Sequence, residues 1–293
     1  MTIYIIISAV ILTLLLLVYT AYRESNDLLS ATAARSKVMI FPDQMRLAFE
    51  NVIFKNQDGI TLKGWFIPAQ QQSNKTIVFM HGRTMNKGML LKTTAFLQKK
   101  YNLFYFDFRG TGESGDGKSS VGYIEARDCA AALKTLAQTR PDACETLGLY
   151  GIDTGGACAI YEAARNGAVK CVITEGCYCS AHKAALRRKK ENKPFLSLPV
   201  LKMALYFAQK RSGVNAEEYS PAHNIAKLDG KAVLIINGAD DELTPRRDAR
   251  DLFHLAKEPK ELWIVANAGH TQAAEVAGVQ YQNRLTEFFD KNL

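Results

Sequence analysis

Six short runs in this chain are apolar on consecutive residues: TIVFM at 76–80, LFYF at 103–106, LGLY at 147–150, CVI at 171–173, VLII at 233–236 and LWIV at 262–265. A strand with one wet face alternates apolar and polar residues. Runs without that alternation need cover on both faces, as in a parallel sheet between helices. Stretches with helical spacing fall at 89–99, 123–139, 154–166, 246–256 and 271–292. This alternation predicts an α/β domain with a mostly parallel, doubly wound sheet. Residues 52–54 and 60–67 flank Asn56-Gln57-Asp58-Gly59 and read as a hairpin ahead of it. The rhythm breaks once, where more than fifty residues separate Thr174 from Lys231. That is too long for a simple crossover and predicts a small helical cap at about 178–228. No internal repeat is visible.

The N-terminus is of another kind. Residues 2–22 carry no charge and are mostly Ile, Leu and Val; Arg23 is the first charged side chain. Such a run is long enough to cross a bilayer as a helix. No Lys or Arg precedes it, which argues against a cleaved signal peptide. Ala31-Thr32-Ala33 resembles a cleavage site but lies too far past the apolar core. The expected organisation is a transmembrane anchor at 2–22, a connector at 23–43 and one domain at 44–293. Arg23, Arg35 and Lys37 follow the anchor. The positive-inside rule then puts the domain in the cytoplasm of a single-pass membrane protein.

The chain has 293 residues, 47% hydrophobic and 23% charged, a globular composition. Six cysteines, four in apolar contexts, fit a reducing compartment. The net charge of +8 is concentrated partly at Lys183, Arg187, Arg188, Lys189, Lys190 and Lys193. These six read as a solvated helix face or a contact with anionic headgroups. No aromatic interleaving or known module supports nucleic-acid binding. Nothing points to a nucleotide, redox or other cofactor, and oligomeric state is not legible.

Chemistry-bearing residues recur at strand ends. His81-Gly82-Arg83 follows the strand at 76–80, where the N–H of Arg83 can face a developing oxyanion. The loop from Asp107 to Gly115 follows the next, with glycines for tight turns and Arg109 as a clamp. Gly151-Ile152-Asp153-Thr154-Gly155-Gly156 has the layout of a nucleophile elbow, with Asp153 at its tip and the N–H of Thr154 as a second oxyanion donor. Asp240-Asp241 and Gly269-His270 end the last two strands. Nucleophile, acid and histidine in that order suit a catalytic triad in which the carboxylate orients the imidazole. Glu175 is an alternative acid, and Asp240 is one residue from Asp241.

Taken together, these features resemble the α/β-hydrolase superfamily. They are most similar to the membrane-anchored Bem46-like serine hydrolases, which include the bacterial YfhR-like proteins. The resemblance runs from about residue 38 to the end. It is carried by Asp58-Gly59 with Gly64-Trp65-Phe66-Ile67-Pro68, His81-Gly82, Asp107-Phe108-Arg109-Gly110, Gly155-Gly156-Ala157, the segment from Ser220 to Ile225, the segment from Ala256 to Lys260, and Gly269-His270. It implies an α/β-hydrolase fold, Asp241 as acid, His270 as base, and the amides of Arg83 and Thr154 as oxyanion hole. The family's serine falls on Asp153.

An aspartate at that position attacks saturated carbon in haloalkane dehalogenases and epoxide hydrolases of this fold, giving an enzyme ester that activated water cleaves. Thr154 stands where such dehalogenases commonly have Trp, and Thr84 where epoxide hydrolases have Pro. Tyr206 or Tyr219 is the expected proton donor for an epoxide. Attack on an ester carbonyl would give a reactive mixed anhydride. Flanking carboxylates would also favour the imidazolium form of His270, a poorer base. The expectation is a hydrolase of a small or lipid-like hydrophobic substrate using Asp153, Asp241 and His270. The alternative is an inactive pseudohydrolase that binds or scaffolds. Cys177-x-Cys179-x-x-His182 has poor spacing for zinc, and no metal is expected. His182, His223 and His254 read as surface or structural residues. The apolar run 195–208 suits a lipid-sized pocket, a membrane contact, or packing of the cap.

Overall fold

The computed structural model describes residues 1–29 and 35–293, so the Ala31-Thr32-Ala33 sequence lies outside the described residues. The chain opens with a long helix, α1 (Thr2–Leu28). The hairpin follows as β1 (Glu50–Lys55) and β2 (Thr61–Ile67). Strands and helices then alternate: β3 (Lys75–Met80), α2 (Lys87–Thr94), β4 (Asn102–Phe106), α3 (Ala126–Thr139), β5 (Thr146–Ile152), α4 (Thr154–Ala163) and β6 (Val169–Glu175). The segment before the next strand holds α5 (Ala181–Asn192), α6 (Leu198–Ser212) and α7 (Pro221–Ile225). β7 (Ala232–Gly238), α8 (Arg246–Leu255), β8 (Lys260–Val265), α9 (Ala273–Ala277) and α10 (Val279–Asn292) complete the chain.

The eight strands form one sheet in the order β1-β2-β4-β3-β5-β6-β7-β8. β2 is antiparallel to both β1 and β4, and every other pairing is parallel. Side chains alternate across the sheet. In β3, Ile77 and Phe79 join a core with Leu90, Leu91, Leu285 and Phe289, while Val78 and Met80 join another with Leu133, Ile160 and Leu252. Two buried layers explain why these strands are apolar at every position. This is the fold of α/β hydrolases. The chain runs outward from β3 to β4 on one side and from β5 to β8 on the other, so the order reverses between β3 and β5. Ligands of open α/β sheets bind beside such a switch point, outside the carboxyl ends of the strands.

Several elements differ from their sequence expectations; α3 starts at Ala126 and α4 ends at Ala163, each three residues short. The helix at 89–99 begins instead at Lys87, because the Asn86 side chain accepts from the amides of Gly88 and Met89, and it passes into a 3-10 turn at Ala95. The stretch at 271–292 is broken by Gly278, whose φ of 51° separates α9 from α10. α1 continues past Tyr22 to Leu28, so the first connector residues are helical.

The exposed apolar stretch of α1 has a mean hydropathy of 2.6 and is long enough to cross a membrane. Its last turns are part of the domain. Ala21, Glu24 and Ser25 are buried, and Ala21 packs with Leu196, Val200, Leu201 and Ala204. This docking gives part of the basic segment a third role, while Lys183 and Lys190 remain exposed. Lys189 lies 2.6 Å from Glu24 and 3.0 Å from Asp27, and Lys193 lies 2.7 Å and 2.9 Å from the same two acids. Arg187 pairs with Asp248, and Lys190 donates to the carbonyls of Pro194 and Leu196.

Candidate functional site

β5 ends at Ile152, and Asp153 follows in a conformation that side chains seldom adopt, φ 52° and ψ −114°. A non-glycine residue held there costs of order 1–3 kcal/mol and persists only when its surroundings fix it. Those surroundings are glycines. A Cβ on Gly151 would stand 2.3 Å from the Gly155 carbonyl oxygen, and one on Gly155 only 2.0 Å from that of Met80. Gly155→Ala is therefore expected to destabilise the domain by about 3 kcal/mol or more, through forced displacement of β3 or α4. Guanidinium unfolding of the variant in micelles would check this; a cost under about 1 kcal/mol would mean that the elbow relaxes freely.

The Asp153 carboxylate is buried, 4% exposed, at the N-terminus of α4. Its Oδ2 accepts from the Arg83 amide at 3.3 Å and from the Thr154 hydroxyl at 3.4 Å. Its Oδ1 pairs with the Arg188 guanidinium and lies 4.0 Å from His270 Nε2. Burial alone would raise the carboxyl's pKa. The charges of Arg188 and His270 and the amides of Arg83 and Thr154 outweigh it, so the pKa falls below the ordinary value.

His270 Nδ1 is 2.8 Å from Asp241 Oδ2. An ionised carboxylate can only accept, so Nδ1 carries the proton and Nε2 faces Asp153. Asp241 is fixed in turn by Thr244, whose amide donates to Oδ1 at 2.7 Å and whose hydroxyl donates to Oδ2 at 2.5 Å. Burial works to lower the imidazole pKa. The Asp241 hydrogen bond and the charges of Asp153 and Asp241 overcome it, and the net shift is upward, with Arg188 opposing. Asp240 is exposed. Glu175 is engaged elsewhere: it accepts from Tyr150 at 2.9 Å, Tyr281 at 2.8 Å and the Ala273 amide at 3.1 Å.

The five residues singled out in sequence thus come together: Asp153, Asp241, His270 and the amides of Arg83 and Thr154. Their neighbours explain the positioning. His81 is buried, accepts from the Phe108 amide through Nε2 at 3.1 Å and bonds the Gly82 carbonyl through Nδ1 at 2.7 Å, stapling the turn that presents Arg83. Arg109 holds Asp128 and, at 2.8 Å, Asp58, a loop clamp as expected. The two tyrosines considered as proton donors lie elsewhere: Tyr206 is 56% exposed, and Tyr219 stacks on Tyr161. Among the described residues no cluster of His, Cys, Asp or Glu has the arrangement of a metal site. All six cysteines are free thiols.

Arg188 is the site residue that sequence reasoning did not assign. It lies in α5, which starts at the Ser180 cap shortly after β6. It stands inside that helix, 13 residues past the end of β6, with no local motif to mark it.

No family model matches the chain. The protein YqkD of Bacillus subtilis (strain 168) is 29% identical over 236 residues, spanning 79% of this chain and 76% of YqkD. The protein YfhR of Escherichia coli O157:H7 is 27% identical over 248 residues, 82% of this chain and 80% of YfhR, in line with the expected YfhR likeness. Among solved structures, the esterase Pf2001 of Pyrococcus furiosus superposes with a TM-score of 0.74 at 22% identity, covering 90% of this chain and 98% of the esterase.

Proposed function

We propose that this chain is a membrane-anchored hydrolase that attacks saturated carbon with Asp153. The observation that carries the reading is the division of labour on that carboxylate: Oδ2 sits on the Arg83 amide while Oδ1 faces His270 Nε2. A serine esterase needs the two amides for the oxyanion of its substrate, but here the enzyme's own carboxylate oxygen fills that place. The arrangement suits a reaction in which the ester to be cleaved is formed on Asp153 itself.

In the first step Arg188 moves off Oδ1. Oδ1 then forms a bond to the substrate carbon as the bond to the leaving group breaks, and that group departs with the electron pair. In the second step water adds to the carbonyl carbon of the Asp153 ester while His270 Nε2 takes its proton. Charge collects on Oδ2, where the Arg83 amide and the Thr154 hydroxyl already donate. Collapse expels the alcohol, which recovers a proton from His270; the water's second proton, left on the Asp153 carboxyl, then passes to solvent, and the carboxylate is restored. Neither candidate tyrosine is at hand to protonate an alkoxide, which favours substrates whose leaving group is a stable anion such as halide.

Electrostatics supports this order of events. While Asp153 is charged, it helps raise the His270 pKa above its ordinary value. Esterification removes that charge and leaves Arg188 opposing, so the imidazole pKa falls when a neutral base is required. An imidazolium cannot take a proton from water, so hydrolysis is lost as pH drops through the pKa of the ester form. The acid limb of kcat is therefore expected below the pKa that NMR gives for His270 in the resting protein. An acid limb at or above the resting value would contradict the scheme.

The direct test uses oxygen-18. Turnover of haloalkanes in labelled water should place the heavy oxygen first in Asp153, read by mass spectrometry of its peptide, and in the alcohol only on later cycles. Label appearing in the alcohol during a single turnover, with Asp153 unlabelled, would remove Asp153 as nucleophile.

The anchor reading rests on α1. A helix cleaved off as a signal would take with it Ala21, Glu24 and Ser25, which are built into the cap. Arg23, Arg35 and Lys37 after the span favour a cytoplasmic domain.

A further inference from the structure

We propose that one border of α6 is a membrane-interface surface, seated among the headgroups and upper acyl chains of the leaflet from which α1 emerges. The inference rests on α1 being a span. Helix α6 buries Val200, Leu201, Ala204, Leu205 and Ala208. Away from that stripe, Met203, Tyr206, Phe207 and Lys210 recur at three- and four-residue spacing, so they share a face. Tyr206 is 56% exposed, Lys210 is exposed with its Nζ 5.7 Å from the Tyr206 ring centre, and Met203 and Phe207 are half-buried. Just before the helix, Phe195 is 79% exposed, and Leu198 at its start is 53% exposed. Exposed apolar and aromatic side chains gathered on one short segment mark a surface with a partner.

The position of α1 identifies the partner. Residues 1–19 are exposed, and α6 packs on Ala21 and Leu28 beyond them. The two edges of α6 meet α1 in a definite order. Phe207 packs its ring 5.8 Å from that of Tyr22, on the membrane side, whereas Leu205 shares a cavity lining with Leu28, on the far side. The Met203–Phe207 edge therefore faces along α1 toward its apolar stretch. Aromatic rings with lysines are the side chains that settle at a bilayer interface, rings at headgroup level and ammonium groups reaching water or anionic lipid. A bilayer fits that description, and a second copy of the chain is the competing occupant.

The test uses the full chain in phosphatidylcholine–phosphatidylglycerol vesicles, with Tyr206→Cys carrying an NBD fluorophore and the unmodified chain labelled in parallel. A nitroxide lipid with its spin high on the acyl chain is expected to quench the emission by roughly half, as for a group lying in the interface. Absence of quenching in protein that resists carbonate extraction would overturn the proposal while leaving the span intact. A blue shift without quenching, growing with protein density, would assign the face to a second copy and overturn it too. Release by carbonate would remove the span and this inference together, while leaving the Asp153 chemistry untouched.

Discussion

Replacing His270 by glutamine is expected to trap the protein as an ester on Asp153. The first step needs only a carboxylate, and Asp153 is held ionised by Arg188 as well as by His270. The second step needs a base within reach of water at the Asp153 carbonyl, and His270 Nε2, 4.0 Å from Oδ1, is placed for it. Steady turnover should then fall by roughly three to four orders of magnitude, while one equivalent of leaving group is still released. Intact-mass measurement should show a stoichiometric adduct, confined to the peptide containing Asp153. Asp153→Ala should show neither burst nor adduct. Loss of the burst in His270→Gln, with alanine at 153 still active, would assign the reaction to a different nucleophile.

Much of this geometry was legible in the sequence because it is local. The six apolar runs needed cover on both faces, and both faces are covered. The glycines of the loop after β4 also had a local reason: a Cβ on Gly112 would strike the Asp107 carboxylate at 2.1 Å, and its φ is 45°. The elbow, Asp241 and His270 each sit one turn past a strand, where α/β chemistry gathers. Arg188 was not legible as a partner of Asp153, because the two are 35 residues apart and only the turn from β6 into α5 brings them together. The same holds for Lys189 and Lys193. Their acids, Glu24 and Asp27, lie on a helix whose apolar part reads as belonging to a different environment. Sequence pattern reports which face is apolar, whereas long-range ion pairs follow from tertiary packing and leave no period.

Lys87→Met is expected to cost more stability than other single polar replacements away from the site. The Lys87 side chain is fully buried, with Nζ 2.5 Å from Asp107 Oδ2, 2.6 Å from Glu113 Oε2 and 4.5 Å from the Trp65 ring centre. Asp107 is equally buried and accepts as well from the amides of Lys87 at 2.8 Å and Glu113 at 2.9 Å. Methionine fills a similar volume but leaves a carboxylate in the interior with amides alone, and breaking a buried pair from one side costs about 3–5 kcal/mol. For a domain of this size that is a fall in melting temperature of roughly 6–20 °C. The double variant Lys87→Met/Asp107→Asn removes both charges and should recover a large part of the loss, a coupling that a double-mutant cycle measures directly. The effect should also reach the site. Asp107 begins the loop whose Phe108 amide is held by His81, and His81 braces the turn that offers the Arg83 amide. Lys87→Met should therefore slow ester hydrolysis more than ester formation, because only hydrolysis builds charge at that amide. Equal slowing of both steps would mean that the ion pair supports the fold without positioning the amide.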